Sequence, residues 1–299
     1  MSASPRFGRI LSALVTPFAA DGSVDTAVAA DLARRLVAEG HEGFVVCGTT
    51  GESPTLSDDE KLAMFRAVVD AVDVPVVAGT VGADTAHSIE LSLRAAEVGV
   101  SGILALCPYY SRPSQAGIEA HLRAIATAVD LPQIVYDIPA RTGRKVSTEV
   151  LLRLAHEVPN IVGVKDAAGS PAETARLIAA TPAGFEVYSG DDSLTLPLLS
   201  VGAVGTIGVA THWTGPDHVE MFDAWAAGDV ARARSVNSRM LESFAFETGD
   251  LAPNPIPTKA MMRTLGVPVG QCRLPLGDAP AGLEDEARAV HARLVTARG

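Results

Sequence analysis

The chain has 299 residues, 47% of them hydrophobic and 20% charged, which is ample apolar material for a large core and excludes a disordered polar chain. Asp and Glu number 35 against 24 Lys and Arg, a formal charge of -11, and a field of that sign repels phosphate backbones and anionic membrane surfaces, so neither nucleic acid nor a membrane is expected as a partner. The three cysteines, Cys47, Cys107 and Cys272, stand far apart with no CxxC pair, which indicates neither a disulfide framework nor a thiolate zinc site and suits a reducing compartment.

The N-terminus carries no long apolar core before a small-residue cleavage site, and no segment reaches about 18 uninterrupted apolar residues. A cytoplasmic protein is expected. Along the chain, short β-rich apolar runs recur at residues 10–15, 43–47, 74–78, 102–106, 133–137, 161–165, 185–189 and 203–208, eight candidate strands. Between them, residues 26–39, 57–72, 85–98, 118–129 and 170–180 space their apolar positions three and four apart, the signature of helices. Ser57 stands three residues before Glu60, a capping-box spacing, and Gly40 and Gly99 close the helices before the second and fourth strands.

Strand–helix units recurring at about 30 residues, with enough strands to close, match a (β/α)8 barrel. An open doubly wound sheet is the alternative, but no GxGxxG turn follows the first strand. After Gly208 the pattern turns helical over 217–227, 230–246, 258–265 and 283–296, interrupted by the proline-rich stretch Ala252 to Pro257. The expected division is a barrel over residues 1–228 and a C-terminal helical extension over 229–299.

Barrel enzymes build their sites at the C-terminal ends of the strands. The second strand ends in Cys47-Gly48-Thr49-Thr50-Gly51-Glu52, either a cradle of backbone N–H groups and hydroxyls for a small carboxylate or a glycine turn capped by hydroxyls. No GK[ST] follows, which excludes a nucleotide P-loop. The fourth strand ends in Cys107-Pro108-Tyr109-Tyr110, where a phenol relays a proton or packs against a neighbouring subunit or loop. In the fifth, Ile134 and Tyr136 share a face, so the phenol reaches the barrel mouth if that face points inward. Arg141, four residues beyond Asp137, is either a bidentate carboxylate clamp or a surface ion-pair partner.

The sixth strand, Ile161-Val162-Gly163-Val164-Lys165-Asp166, ends an apolar run in a lysine. Ile161, Gly163 and Lys165 share one parity, which would project the ammonium into the mouth above a small residue. Desolvation there lowers a lysine pKa, and a neutral amine condenses with a carbonyl to a Schiff base. Pairing with Asp166 is the plainer alternative. The chain has only four lysines; Lys61 lies on a polar helix face, Lys145 in an Arg-rich loop and Lys259 after Pro257, so amine catalysis would fall to Lys165. The seventh strand closes in Ser189-Gly190-Asp191-Asp192, acids better suited to a helix start than to a metal, since the histidines show no HxH or HExxH spacing. Neither a metal nor a cofactor is expected. Cys47 and Cys107, without histidine partners, read as small buried fillers.

Together, Gly48-Thr49-Thr50-Gly51-Glu52, Pro108-Tyr109-Tyr110, Tyr136-Asp137-Ile138-Pro139, Gly163-Val164-Lys165-Asp166 and Ser189-Gly190-Asp191-Asp192 resemble the dihydrodipicolinate synthase and N-acetylneuraminate lyase family of class I aldolases. The likeness runs from Leu14-Val15-Thr16-Pro17 to Arg273-Leu274-Pro275-Leu276. It implies a (β/α)8 barrel and a Schiff base between Lys165 and pyruvate. Thr49 and Thr50 would hold the pyruvate carboxylate, with Tyr136, Thr49 and Tyr110 as a proton relay. Tyr110 would reach in from an adjacent subunit of a homotetramer built as a dimer of dimers. The resemblance also implies Gly190 and Ile207 as substrate-binding positions.

An arginine directly after Tyr-x-x-Pro-x, here Arg141, resembles the synthase branch, in which it binds the carboxylate of aspartate semialdehyde. Pyruvate and aspartate semialdehyde are therefore the expected substrates. A lyase or aldolase for a sialic acid or 2-keto-3-deoxy sugar acid, and a noncatalytic carboxylate-binding barrel, are the alternatives. Asp137 in place of asparagine, Cys107 in place of threonine and Val81-Gly82 in place of glycine-alanine depart from the family pattern. The positions corresponding to a lysine-inhibition site look like Asp58, Lys61, Ala83 and His87, which leads to an expectation of weak or absent lysine inhibition.

Overall fold

The computed structural model describes residues 4–249 and 252–298. Eight strands, β1 (Ile10–Ala13), β2 (Gly43–Val46), β3 (Val76–Ala78), β4 (Gly102–Leu106), β5 (Gln133–Asp137), β6 (Ile161–Asp166), β7 (Glu186–Ser189) and β8 (Gly205–Gly208), pair in parallel in chain order. β8 returns to β1, with Leu11 opposite Ile207, so the sheet is a closed barrel and the open-sheet alternative is excluded. The intervening helices are α1 (Thr26–Ala38), α2 (Asp58–Val69), α3 (Thr85–Val98), α4 (Gln115–Ala128), α5 (Pro139–Thr142), α6 (Thr148–Glu157), α7 (Pro171–Ala180) and α8 (Thr195–Leu199). Beyond the last strand come α9 (Thr211–Ala226), α10 (Val230–Glu247), α11 (Ile256–Thr264) and α12 (Leu283–Arg298).

The strands read as continuous apolar runs because both of their faces are covered. Leu11, Val45, Val77, Leu104 and Ile134 fill the barrel, while Phe44, Val46, Ile103 and Val135 pack outward against the helices. Side chains of Asp25, Ser57, Asp84, Ser114, Ser147 and Ser170 each accept from a backbone N–H at a helix start, and each such cap contributes about 1 kcal/mol. Ser57 and Glu60 form the expected reciprocal box. At the C-terminus of α3, Gly99 takes φ +96, a left-handed turn that a side chain would strain.

Three differences from the sequence pattern have local causes. α6 was not anticipated, although Val150, Leu151 and Leu154 form its buried stripe and Ser147 caps it. α9 begins at Thr211 rather than at residue 217 and runs through Pro216, which costs it one ladder bond without ending it. In β6 the register slips: Gln133 faces Ile161 but Ile134 faces Gly163. That irregularity turns Ile161 outward into the helix-facing layer and leaves Gly163 and Lys165 opposite the inward Ile134 and Tyr136. Of the trio expected on one face, Ile161 is therefore corrected.

Candidate active site

Lys165, the penultimate residue of β6, stands at the barrel mouth, only 4% exposed, with its Nζ 4.3 Å from the centroid of the Tyr136 ring. Burial brings its ammonium down to about 8; Asp192 opposes that shift, as does Glu247 when ionised, and Arg141 adds to it. No ion pair involves Lys165 among the described residues. Asp166, the alternative partner, points to the opposite face, where its carboxylate accepts from Thr174 Oγ1 at 2.6 Å and from the Ala168 N–H at 2.9 Å. The lysine stem fits because position 190 is glycine: a Cβ there would stand 2.9 Å from Lys165 Cγ and 3.1 Å from Cε. Tyr136 is buried on the neighbouring strand, and desolvation pushes its phenol up, so it stays protonated at neutral pH.

The turn after β2 brings Thr49 and Thr50 to the same mouth. Its flanks are strained, with Cys47 at φ +56 and Glu52 at φ +57, left-handed conformations costing on the order of 1–3 kcal/mol each outside glycine. What holds them comes from distant parts of the chain. Glu52 pairs with the wholly buried Lys259 at 2.6 Å and accepts from the Arg273 N–H at 2.8 Å. Thr16 Oγ1 donates to the Gly51 carbonyl at 2.6 Å, and Asn254 Nδ2 donates to Thr50 Oγ1 at 2.9 Å.

A cavity of about 190 Å³ gathers these groups: Thr49, Thr50, Tyr136, Arg141, Lys165 and Gly190 all line it. Arg141 stands exposed at the rim, its Nη2 3.4 Å from the Asn254 carbonyl, and no ion pair holds its guanidinium among the described residues, which suits it to a carboxylate. Ile207 lies beneath, fully buried among the inward barrel side chains, and Val209 lines the cavity two residues later. Tyr110 is elsewhere. Its φ is +68, it is 94% exposed, and it is not among the residues that line this cavity.

The remaining expectations resolve locally. Asp191 caps a short 3-10 turn through Ser193, whereas Asp192 is buried in the cavity wall, with Oδ2 accepting from the Val209 N–H at 2.8 Å. Asp137 faces the helices, not the cavity, and takes Lys145 at 3.2 Å and the Val146 N–H at 3.0 Å, so that departure leaves the pocket untouched. Burial raises the thiol of Cys107 to about 12 and that of Cys47 further still, which keeps both as unreactive fillers. Sequence reasoning missed Glu247, Asn254 and the buried pairing of Lys259. Asn254 lies within the proline-rich stretch and Lys259 just after it, but only the folded chain shows Asn254 lining the cavity and Lys259 enclosed with Glu52.

The profile of the dihydrodipicolinate synthetase family matches residues 6–297. The chain belongs to that family. A relative from Symbiobacterium thermophilum named 4-hydroxy-tetrahydrodipicolinate synthase is 50% identical over 288 residues, 96% of this chain and 97% of its own. Another of the same name, from Thermosynechococcus vestitus, is 45% identical over 95% and 96%. The crystal structure of the dihydrodipicolinate synthase of Cyanidioschyzon merolae with lysine bound is 42% identical and superposes with a TM-score of 0.95, covering 98% of this chain and 99% of that one.

This member of the dihydrodipicolinate synthetase family has a second, larger cavity of about 400 Å³ on the far side of Thr49 and Tyr136. Asp58, Lys61, Ala83 and His87 line it, with Tyr109 and Asp84. Its charges already serve one another: His87 Nε2 lies 2.8 Å from Asp58, Lys61 lies 3.9 Å from it, and Asp84 caps α3.

Proposed function

We propose that the protein is a Schiff-base-forming synthase that condenses pyruvate with L-aspartate 4-semialdehyde to 4-hydroxy-tetrahydrodipicolinate, a step of lysine and diaminopimelate biosynthesis. The observation that carries this reading is Lys165, a desolvated amine without an ion-pair partner among the described residues, in a cavity shared with a phenol, two threonines and a guanidinium. Its neutral form attacks the keto carbon of pyruvate, and loss of water leaves a protonated imine. That imine acidifies the adjacent methyl group; the enamine formed on proton loss attacks the aldehyde carbon. The amino group of the semialdehyde then adds to the imine carbon and expels Lys165, closing the ring, so that one water leaves per turnover.

Thr49 and Thr50 are assigned to the pyruvate carboxylate, Tyr136 and Thr49 to proton transfer, and Arg141 to the carboxylate of the semialdehyde. Gly190 gives Lys165 its room, and Ile207 floors the cavity. Residues 1–228 supply the reacting groups in this reading, and the helical extension over 229–299 adds Glu247, Thr248 and Asn254 to the cavity lining. The exposed, left-handed Tyr110 suits entry into the site of a neighbouring subunit, and we assign a homotetramer, a dimer of dimers, on that ground. No helix of the described residues is long and apolar enough to cross a membrane; three unpaired cysteines suit a cytoplasmic enzyme. A sialic acid or sugar acid would need hydroxyl partners where the rim offers a guanidinium, and the relatives named above carry the synthase name.

Borohydride reduction in the presence of pyruvate, followed by peptide mass mapping, tests the central step. A stable adduct on Lys165 is expected; an adduct on another residue, or none, refutes it. Because the reactive form is the free amine and its pKa lies near 8, trapping should speed up from pH 7 to 9 with a midpoint near 8. An ordinary lysine would still be gaining rate beyond pH 10.

A further inference from the structure

Glu247 is the last residue of α10, yet its carboxyl ends in the cavity that holds Lys165. It meets Asp192, and both side chains are buried. Each presents an oxygen with no hydrogen-bond partner among the described residues, Oε2 of Glu247 and Oδ1 of Asp192. The other Asp192 oxygen is already fixed by the Val209 N–H, and glycine at position 208 makes room for Oδ1, which a Cβ there would strike. The surrounding titratable groups are Lys165 from β6, Tyr136 from β5, Arg141 from α5, Asp191 beside Asp192, and His212 and His218 from α9. None of them donates a hydrogen bond to either free oxygen, and burial keeps both histidines neutral. Two ionised carboxylates in contact, both acceptor-only, would combine charge repulsion with two unsatisfied buried atoms. A single proton placed between them removes both penalties.

We propose that Glu247 is a positioning residue for the Schiff-base step: it stands in the barrel mouth as a neutral carboxylic acid that donates to Asp192 Oδ1, so that the pair presents one negative charge rather than two to Lys165. This rests on the assignment of Lys165 as the imine-forming amine. The single charge has a definite place in that chemistry. It balances the protonated imine, while an anionic keto acid entering the cavity meets one repelling carboxylate instead of two. The burial of Glu247 independently favours its protonated form.

The test uses the full-length enzyme and the variants E247Q, E247A and D192N, with borohydride trapping of pyruvate followed against pH and infrared spectra recorded at pH 7. Wild type should show the C=O stretch of a buried carboxylic acid, and E247Q should lose it. Gln supplies an N–H to Asp192 at the same net charge, so E247Q should keep the trapping midpoint within about 0.3 pH unit, whereas D192N, which removes the charge that favours the ammonium, should lower it by about one unit. E247A should slow trapping about tenfold by leaving Asp192 Oδ1 unpaired, and E247Q should restore the rate. Absence of the acid band in wild type, or a midpoint in E247Q that falls as far as in D192N, overturns the proposal. If wild type shows the band, E247Q loses it, and pyruvate traps nowhere, the shared proton stands and the assignment of Lys165 falls.

Discussion

Two buried lysines, Lys165 and Lys259, differ in what surrounds them more than in how deeply they sit. Both lie over an aromatic ring, 4.3 Å from the centroid of Tyr136 and 4.1 Å from that of Phe18, and burial lowers the pKa of both. Lys259, however, pairs with Glu52 at 2.6 Å and donates to the Gln271 carbonyl at 3.0 Å. Its charge is committed and its lone pair withheld. Lys165 has no such partner among the described residues and opens onto a cavity. Desolvation alone therefore does not make a nucleophile; desolvation without a carboxylate in contact, at the edge of a space for substrate, does.

The largest effect expected from this contrast is loss of chemistry without loss of fold. K165A should abolish pyruvate trapping and turnover while leaving the thermal unfolding temperature within a few degrees of wild type, because no ion pair is broken; residual turnover at wild-type level would break the comparison. K259M should do the reverse. Stranding Glu52 in a buried site should cost about 3–5 kcal/mol in denaturant unfolding, with the adduct still on Lys165 in the molecules that stay folded. Pairing that change with E52Q should recover part of the loss, and failure to recover any would mean that Lys259 stabilises by packing alone.

Smaller effects sharpen the division of labour around Lys165. Y136F keeps the ring beneath the ammonium but removes its proton-bearing oxygen, and kcat should fall about 100-fold or more with the adduct still detectable. R141A should leave pyruvate trapping within about threefold and raise KM for the semialdehyde about tenfold to a hundredfold, the scale of a lost charged hydrogen bond. Equal losses in both half-reactions would instead place Arg141 on pyruvate.

The parts legible in the sequence were those whose signal is local. Lys165 and Tyr136 end apolar strands, so alternation and strand-end position were enough to find them, and the capping box at Ser57 needed only four residues. The irregularity that turns Ile161 outward leaves no trace in an uninterrupted apolar run, because either face of the strand is buried. α6 did carry its stripe and cap, but a short loop and a one-turn helix, α5, precede it and blurred its start. Glu247, Asn254 and Lys259 were beyond reach for a different reason. Asn254 and Thr50 are joined by a 2.9 Å bond across 204 positions of sequence, and nothing in a post-proline lysine distinguishes a solvated ammonium from one enclosed with Glu52.

The smallest effect expected is an absence of response to lysine. An amino acid held in the larger cavity would need a carboxylate free to receive its ammonium groups. Of the acids there, Asp58 already faces His87, Lys61 and Arg94, and Asp84 accepts from the Ala86 and His87 N–H groups. Lysine, with two ammonium groups against one carboxylate, would also meet the ammonium of Lys61 in this space, so desolvation and repulsion oppose it together. Initial rates with pyruvate and semialdehyde near their KM values should therefore stay flat through submillimolar lysine. A steep fall in that range would mean that the Asp58 cluster opens to accept the ligand, and D58N would then have to weaken the inhibition, since only a released Asp58 could provide the receiving charge.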